Sequence, residues 1–182
     1  MEKLFVPIQN GRCHIRTLRM NQTSKNVPLV MVHGMGAGVG LWVLNYSSLA
    51  EHRPVYAFDV LGFGRSSRPD FSSDALMAEM ELVESVEDWR KQVGLDKFIL
   101  LGHSMGGFIA ASYAIRYPDR ISHLILADPW GFSERPESDS NNQSFLKMVA
   151  KAVSYSNPLA ALRVIGPFGK HPHLHFFVPH IR

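Results

Sequence analysis

A single cysteine, Cys13, stands in a chain of 182 residues. No intrachain disulfide can form, so the fold must rest on its core, and a reducing compartment is expected. No apolar run approaches the roughly 20 residues that a membrane-spanning helix needs. The N-terminus shows no apolar h-region, so no signal peptide is expected, and any contact with a membrane would be made from its surface. Blocks of lysine and arginine are missing too. The net charge of +3 is scattered, which excludes the basic stripe of a nucleic-acid binder. A mildly basic surface suits anionic lipid headgroups, but that small excess decides nothing. Internal repeats are absent. What remains is 46% hydrophobic and 19% charged, an ordinary composition for one globular core.

The apolar pattern alternates between strands and helices. Leu4 to Gln9 and Arg12 to Met20 read as a hairpin around Asn10-Gly11, a favoured two-residue turn. Pro28 to Val32 is a short continuous apolar strand, as strands buried on both faces are. A glycine-rich loop from Gly34 to Gly40 follows, then a strand Val55 to Phe58 ending at Asp59. Residues 74 to 92 predict a helix. Leu76, Met80, Val83, Val86 and Trp89 recur on one side, with Glu79, Glu81, Glu84, Glu87 and Asp88 on the other, and Gly94 stops it. Phe98 to Leu101 is a strand, Phe108 to Tyr117 a helix, and Ile121 to Ala127 a last strand ending at Asp128. Strands alternating with helices predict an α/β fold with a mostly parallel sheet, its reactive groups gathered at the carboxyl ends of the strands.

Between the strand at 98 and the helix at 108 lies Gly102-His103-Ser104-Met105-Gly106. Strand, sharp turn and helix turn this Gly-x-Ser-x-Gly pattern into a nucleophile elbow, with Ser104 at its tip. A serine hydroxyl needs a base to take its proton and hydrogen-bond donors aimed at the developing oxyanion. The elbow supplies one donor, the backbone N–H of Met105. His33-Gly34-Met35-Gly36, after the earlier apolar strand, supplies the second from the N–H of Met35. This loop fails as a dinucleotide fingerprint, because Val39 and Leu41 stand where the third glycine belongs, and no Gly-Lys-Ser/Thr is present for a P-loop. Asp59-Val-Leu-Gly-Phe-Gly-Arg-Ser66 reads as a scaffold for the oxyanion loop, with Asp59 not catalytic. His103 is expected to pack beside the turn, since a side chain adjacent to the nucleophile points away from it.

His33-Gly34, Asp59-x-x-Gly-x-Gly-x-Ser66, Gly102-His-Ser-Met-Gly106 and Tyr117-Pro-Asp-Arg120, in that order, resemble the α/β-hydrolase superfamily. Gly38-Val-Gly-Leu-Trp42, Arg53 to Asp59, Leu61 to Pro69, Asp128-Pro-Trp-Gly-Phe132, Asn157-Pro-Leu-Ala160 and Gly166-Pro-Phe168 narrow the resemblance to its branch of α/β-hydrolase domain-containing proteins 4 and 5. The resemblance implies a serine hydrolase cleaving acyl esters of lysophospholipids or N-acyl-phospholipids. It implies a lipid substrate, no cofactor, no metal, and a cytoplasmic protein that touches lipid droplets or membranes peripherally. The branch also contains a regulator of triacylglycerol lipase with asparagine at the elbow. This chain keeps Ser104, which places it nearer the hydrolase. A catalytically silent regulator that binds lipid or a lipase partner, and an acyl-CoA-dependent lysophosphatidic acid acyltransferase, are the alternatives.

The resemblance runs from about residue 4 to 169. Residues 1–133 are expected to form the N-terminal part of the hydrolase core, 134–169 the start of a cap, and 170–182 a divergent, disordered tail. Segments Phe145 to Val153 and Pro158 to Val164 read as amphipathic helices within that cap. Relatives continue through further strands that carry the triad's acid and histidine, so activity here is expected to be impaired. Chain order leaves Asp128 as a candidate substitute acid, and His171, His173, His175 or His180 as candidates for the base. One imidazole would have to reach both Ser104 and Asp128 within about 3 Å, and a tail without helical or strand period offers it no scaffold. Without following strands, 121–127 is expected to be an exposed apolar edge.

Overall fold

The computed structural model describes residues 1–132. The expected cap, its two amphipathic segments and the tail histidines lie outside the described residues. Six strands are present: β1 (Glu2–Ile8), β2 (Cys13–Met20), β3 (Leu29–Val32), β4 (Val55–Phe58), β5 (Phe98–His103) and β6 (Ile121–Ala127). Three α-helices join them: α1 (Tyr46–Leu49), α2 (Ala75–Val93) and α3 (Met105–Arg116). The strands form one sheet in the order β1-β2-β4-β3-β5-β6. β1–β2 and β2–β4 are antiparallel; β3 runs parallel to β4 and β5, and β5 to β6. The α/β reading of the sequence therefore holds, with an antiparallel hairpin added to a parallel centre.

Alternation along β3 and β4 divides the core between the two sheet faces. Val30, Val32, Tyr56 and Phe58 pack with Val83, Val86 and Trp89 of α2 and Ile109 and Tyr113 of α3. Leu29, Met31, Val55 and Ala57 pack on the opposite face with Val39 and Tyr46. Both four-residue strands are buried throughout, as continuous apolar runs require. Trp89 is fully buried, lies 4.7 Å from the Phe58 ring, and its indole N–H donates to Thr17 Oγ1 at 2.9 Å. Asp74 caps α2 by accepting from Met77 N–H at 2.9 Å, and Gly94 ends it with φ of 72°.

Three local expectations need correction. The hairpin is not closed by two residues: Ile8 pairs with Cys13, and Gln9 to Arg12 form the turn, with Gln9, Asn10 and Gly11 all at positive φ. The wider turn brings Gln9 N–H to the Asp88 carboxylate of α2 at 3.4 Å. Leu76 is not in the core but 65% exposed, whereas the buried stripe of α2 begins at Val83. Glu87, assigned to the polar face, is buried. Arg90 and Tyr113 supply the hydrogen bonds that make this tolerable. The short helix α1 has no periodicity to betray it.

β6 pairs with β5 alone among the described residues, and Ile125 is 41% exposed. No helix among the described residues is long and apolar enough to cross a membrane.

Candidate functional site

Parallel strands bring one end of each to the same rim of the sheet. Val32 is in register with Phe58 and Gly102, and His103 with Ala127. The residues immediately after the four parallel strands are His33, Asp59, Ser104 and Asp128. The topology thus gathers at one rim four positions singled out by separate motifs.

Ser104 occupies a sharp turn between β5 and α3, with φ 54° and ψ −122°. A non-glycine residue in this region carries backbone strain of order 1–3 kcal/mol, held by its surroundings. Those surroundings are explicit. Ser104 N–H donates to the Ala127 carbonyl at 3.1 Å, and the Ser104 carbonyl accepts from Gly107, Phe108 and Trp130 N–H at 2.9, 3.2 and 3.1 Å. Strand and helix cross closely enough that a Cβ on Gly102 would collide with the Gly106 carbonyl oxygen. Met105 is the first residue of α3 and is buried. Its N–H belongs to the first turn, which has no acceptor within the helix.

The loop after β3 lies against the elbow. A Cβ on Gly34 would stand 2.9 Å from Ser104 Cβ and 3.1 Å from His103 Nδ1. Gly34 to Ala37 form a turn closed by Ala37 N–H to the Gly34 carbonyl at 3.2 Å, with Gly36 at φ 71°. Met35 sits at its exposed corner and is 50% exposed. Ser104, Met105 and the Gly34–Met35 segment are thus brought together.

Asp59 ties this loop down. Its Oδ1 accepts from Val39 N–H at 2.7 Å, its Oδ2 from Arg65 N–H at 2.9 Å, and Arg16 lies 3.7 Å from Oδ2. Gly38 passes so near that a Cβ would lie 2.8 Å from Asp59 Oδ1. Ser66 Oγ donates to the Asp59 carbonyl at 2.5 Å and accepts from Arg16 N–H at 2.9 Å. This is the scaffold expected of the Asp59 to Ser66 motif. Tyr46 adds a tie that the sequence did not signal: its hydroxyl donates to the Val39 carbonyl at 2.5 Å. Burial first, and then the Asp59 charge, push the Tyr46 hydroxyl well above the usual phenol range.

His103 packs against Trp42, ring centroids 6.4 Å apart and edge to face. Among the described residues, its Nδ1 and Trp42 Nε1 are the buried side-chain polar atoms without a hydrogen-bond partner. Asp128 follows β6 at the level of Ser104, with φ 47° and an exposed side chain. Among the described residues no hydrogen bond or ion pair engages its carboxylate. The substitute bases lie outside the described residues. No three His, Cys, Asp or Glu side chains among the described residues converge to hold a metal ion.

His33 is fully buried. Desolvation lowers its basicity, opposed by the Gly34 carbonyl and the Asp59 charge. Folding therefore favours the neutral ring, while the unfolded chain takes up a proton at the ordinary value near 6.5. The stabilisation is complete above that pH and is lost as pH falls toward the depressed native value, at up to about 1.4 kcal/mol per pH unit. Urea midpoints between pH 7.5 and 5 should fall more steeply for the native chain than for His33→Gln; parallel slopes would exclude the effect.

Comparison with known proteins adds an independent line. The family model described as alpha/beta hydrolase fold matches residues 27–166. A Sus scrofa protein named 1-acylglycerol-3-phosphate O-acyltransferase ABHD5 is 52% identical over 168 residues, covering 90% of this chain and 48% of that protein. A Bos taurus (Lyso)-N-acylphosphatidylethanolamine lipase is 57% identical over 145 residues, covering 78% of this chain and 42% of that protein. The chain thus spans about half the length of the curated relatives it matches. Among solved structures, a membrane phospholipase A described as a bacterial virulence factor superposes with a TM-score of 0.66 at 32% identity, over 75% of this chain and 42% of its own.

Proposed function

As this chain belongs to the alpha/beta hydrolase fold family, we propose that it carries the nucleophile half of a serine acyl hydrolase acting on acylated phosphoglycerides, lysophospholipids or N-acyl-phospholipids. The observation that carries this reading is the elbow: Ser104 at positive φ between strand and helix, with Gly34 packed against it. Ser104 Oγ attacks the carbonyl of the acyl ester, and its proton passes through a base to the departing alcohol. The acyl group remains as a serine ester until water, deprotonated by the same base, attacks its carbonyl and expels Ser104 Oγ, which takes the proton back as the free fatty acid leaves. The N–H groups of Met35 and Met105 stabilise the oxyanion in both steps. Acyl transfer to serine needs no cofactor. The two relatives' names share an acylated phosphoglyceride as the molecule acted on, which accepts an acyl group in the first and is hydrolysed in the second.

Asp128 is proposed as the acid by its place beside the elbow, with the base drawn from His171, His173, His175 or His180. The second reading is a catalytically silent lipid or lipase binder, the alternative that the family resemblance leaves open. One experiment separates the two. A fluorophosphonate probe applied to the purified chain should label Ser104, and labelling should vanish in Ser104→Ala. A folded chain that does not label, yet floats with phospholipid vesicles equally well as wild type and Ser104→Ala, belongs to the silent reading. Phosphatidic acid formed from labelled acyl-CoA and lysophosphatidic acid would instead assign the acyltransferase reaction.

A further inference from the structure

We propose that His33 is a positioning residue that aims the Met35 N–H, acting as one half of a reciprocal latch with Asp59. The proposal rests on the reading that Met35 is an oxyanion donor. β3 and β4 end in register at Val32 and Phe58, so His33 and Asp59 are the first residues beyond two neighbouring strands. Each side chain crosses to the other's loop. His33 Nε2 accepts from Val60 N–H at 2.9 Å, and Asp59 Oδ1 accepts from Val39 N–H at 2.7 Å. Both residues are buried, at 0% and 2% exposure, so neither contact is exchanged for water.

The direction of the first contact fixes the chemistry of the ring. An Nε2 that accepts carries no proton, so the neutral ring holds its proton on Nδ1. Nδ1 lies 2.8 Å from the Gly34 carbonyl oxygen and donates to it. That carbonyl and the Met35 N–H belong to one peptide plane and point in opposite directions across it. Holding the Gly34 carbonyl therefore aims the Met35 N–H to the other side. Ala37 N–H binds the same carbonyl at 3.2 Å, so the turn and the imidazole grip one oxygen together. Gly34 is also the residue packed against Ser104. A chain of contacts thus runs from Val60 through the imidazole to the donor beside the nucleophile, and His33 acts through that donor without touching substrate itself.

The test uses three variants. Asparagine sets an amide N–H near the Nδ1 position and retains the Gly34 contact; glutamine sets an acceptor near Nε2 and retains only the Val60 contact; alanine retains neither. Fluorophosphonate labelling of Ser104 is expected to fall about tenfold or more in His33→Ala and His33→Gln, given the 100- to 1,000-fold effect of deleting an oxyanion donor outright. It should remain within a few-fold in His33→Asn. Equal losses in all three would overturn the aiming role. Amide hydrogen exchange decides the latch even if Ser104 proves unreactive, which would count against the function and not against the latch. His33→Ala should accelerate exchange at Ala37 and Val39, whose N–H groups are bonded within this loop and to Asp59, as well as at Val60, and acceleration confined to Val60 would overturn the proposal. Should the variants fail to fold, imidazole nitrogen NMR of the unaltered chain still decides: a proton on Nδ1 supports the latch, and one on Nε2 excludes it.

Discussion

Gly106→Ala is expected to destabilise the chain by about 3 kcal/mol or more, the upper end of the ordinary cost of overpacking, and to remove Ser104 labelling. A Cβ at position 106 would overlap the Val32 carbonyl oxygen and lie 2.5 Å from that of His33. Both obstacles are main chain, at the end of the central strand β3, and neither can swing aside as a side-chain tip does. Helix α3 must instead back away from the sheet. Ser104 leads directly into that helix, its carbonyl bound by Gly107 and Phe108 N–H, so the displacement reaches the nucleophile. Alanine's advantage over glycine inside a helix, about 1 kcal/mol, offsets only part of this. Gly40→Ala is the matched control. A Cβ there meets nothing within 4 Å, and the change is expected to stay within about 0.5 kcal/mol. Urea unfolding of the two variants gives the comparison, and coincident midpoints would refute the crossing argument.

The same elbow shows how much of this site was legible in the residues alone. Gly102, Ser104 and Gly106 announced it because so close a crossing of strand and helix excludes any side chain, a constraint that leaves a visible spacing. Asp59 and Ser66 were legible for a similar reason: glycines are required at 38 and 64 where the main chain passes the Asp59 carboxylate. The parallel strands were legible from continuous apolar runs, since burial on both faces removes alternation. Other features had no such mark. Tyr46 reaches Val39 from a four-residue helix, too short for any period. The direction of the His33 ring depends on which main-chain groups surround it, and one of the two, the Val60 N–H, comes from a loop 27 positions away. The exposed turn of Leu76 was misread because the period of α2 continues past the edge of what it covers. Glu87 was misread because its hydrogen-bond partners are Arg90 on the same helix and Tyr113 on another element.

Glu87→Ala is expected to cost about 3–5 kcal/mol, the range for removing one partner of a buried ion pair. The Glu87 side chain is 4% exposed and that of Arg90 9%. Arg90 holds Glu87 in a fork, Nε to Oε2 at 2.8 Å and an Nη to Oε1 at 2.9 Å, while Tyr113 donates to Oε2 at 2.7 Å. A further guanidinium N–H donates to the Leu95 carbonyl beyond the end of α2. Burial alone would raise the carboxyl's pKa; the hydrogen bonds from Arg90 and Tyr113, with the Arg90 and Lys91 charges, outweigh it and hold the group below its ordinary value of 4.5. The depressed value means that the stabilisation is present above pH 4.5 and is lost as pH falls through the native value. Glu87→Gln should therefore flatten the acid limb of stability while retaining part of the hydrogen bonding. Alanine leaves the Arg90 charge uncompensated and the Tyr113 hydroxyl unpartnered in the seam between α2 and α3. The decisive comparison is the double variant Glu87→Leu with Arg90→Leu. Replacing both charges by apolar groups leaves neither buried and unpaired, and such replacements are commonly neutral. If urea unfolding shows the double variant nearer to wild type than Glu87→Ala, the cost lies in the orphaned charge. If both lose equally, the attraction between the pair is itself what joins α2 to the helix that follows Ser104.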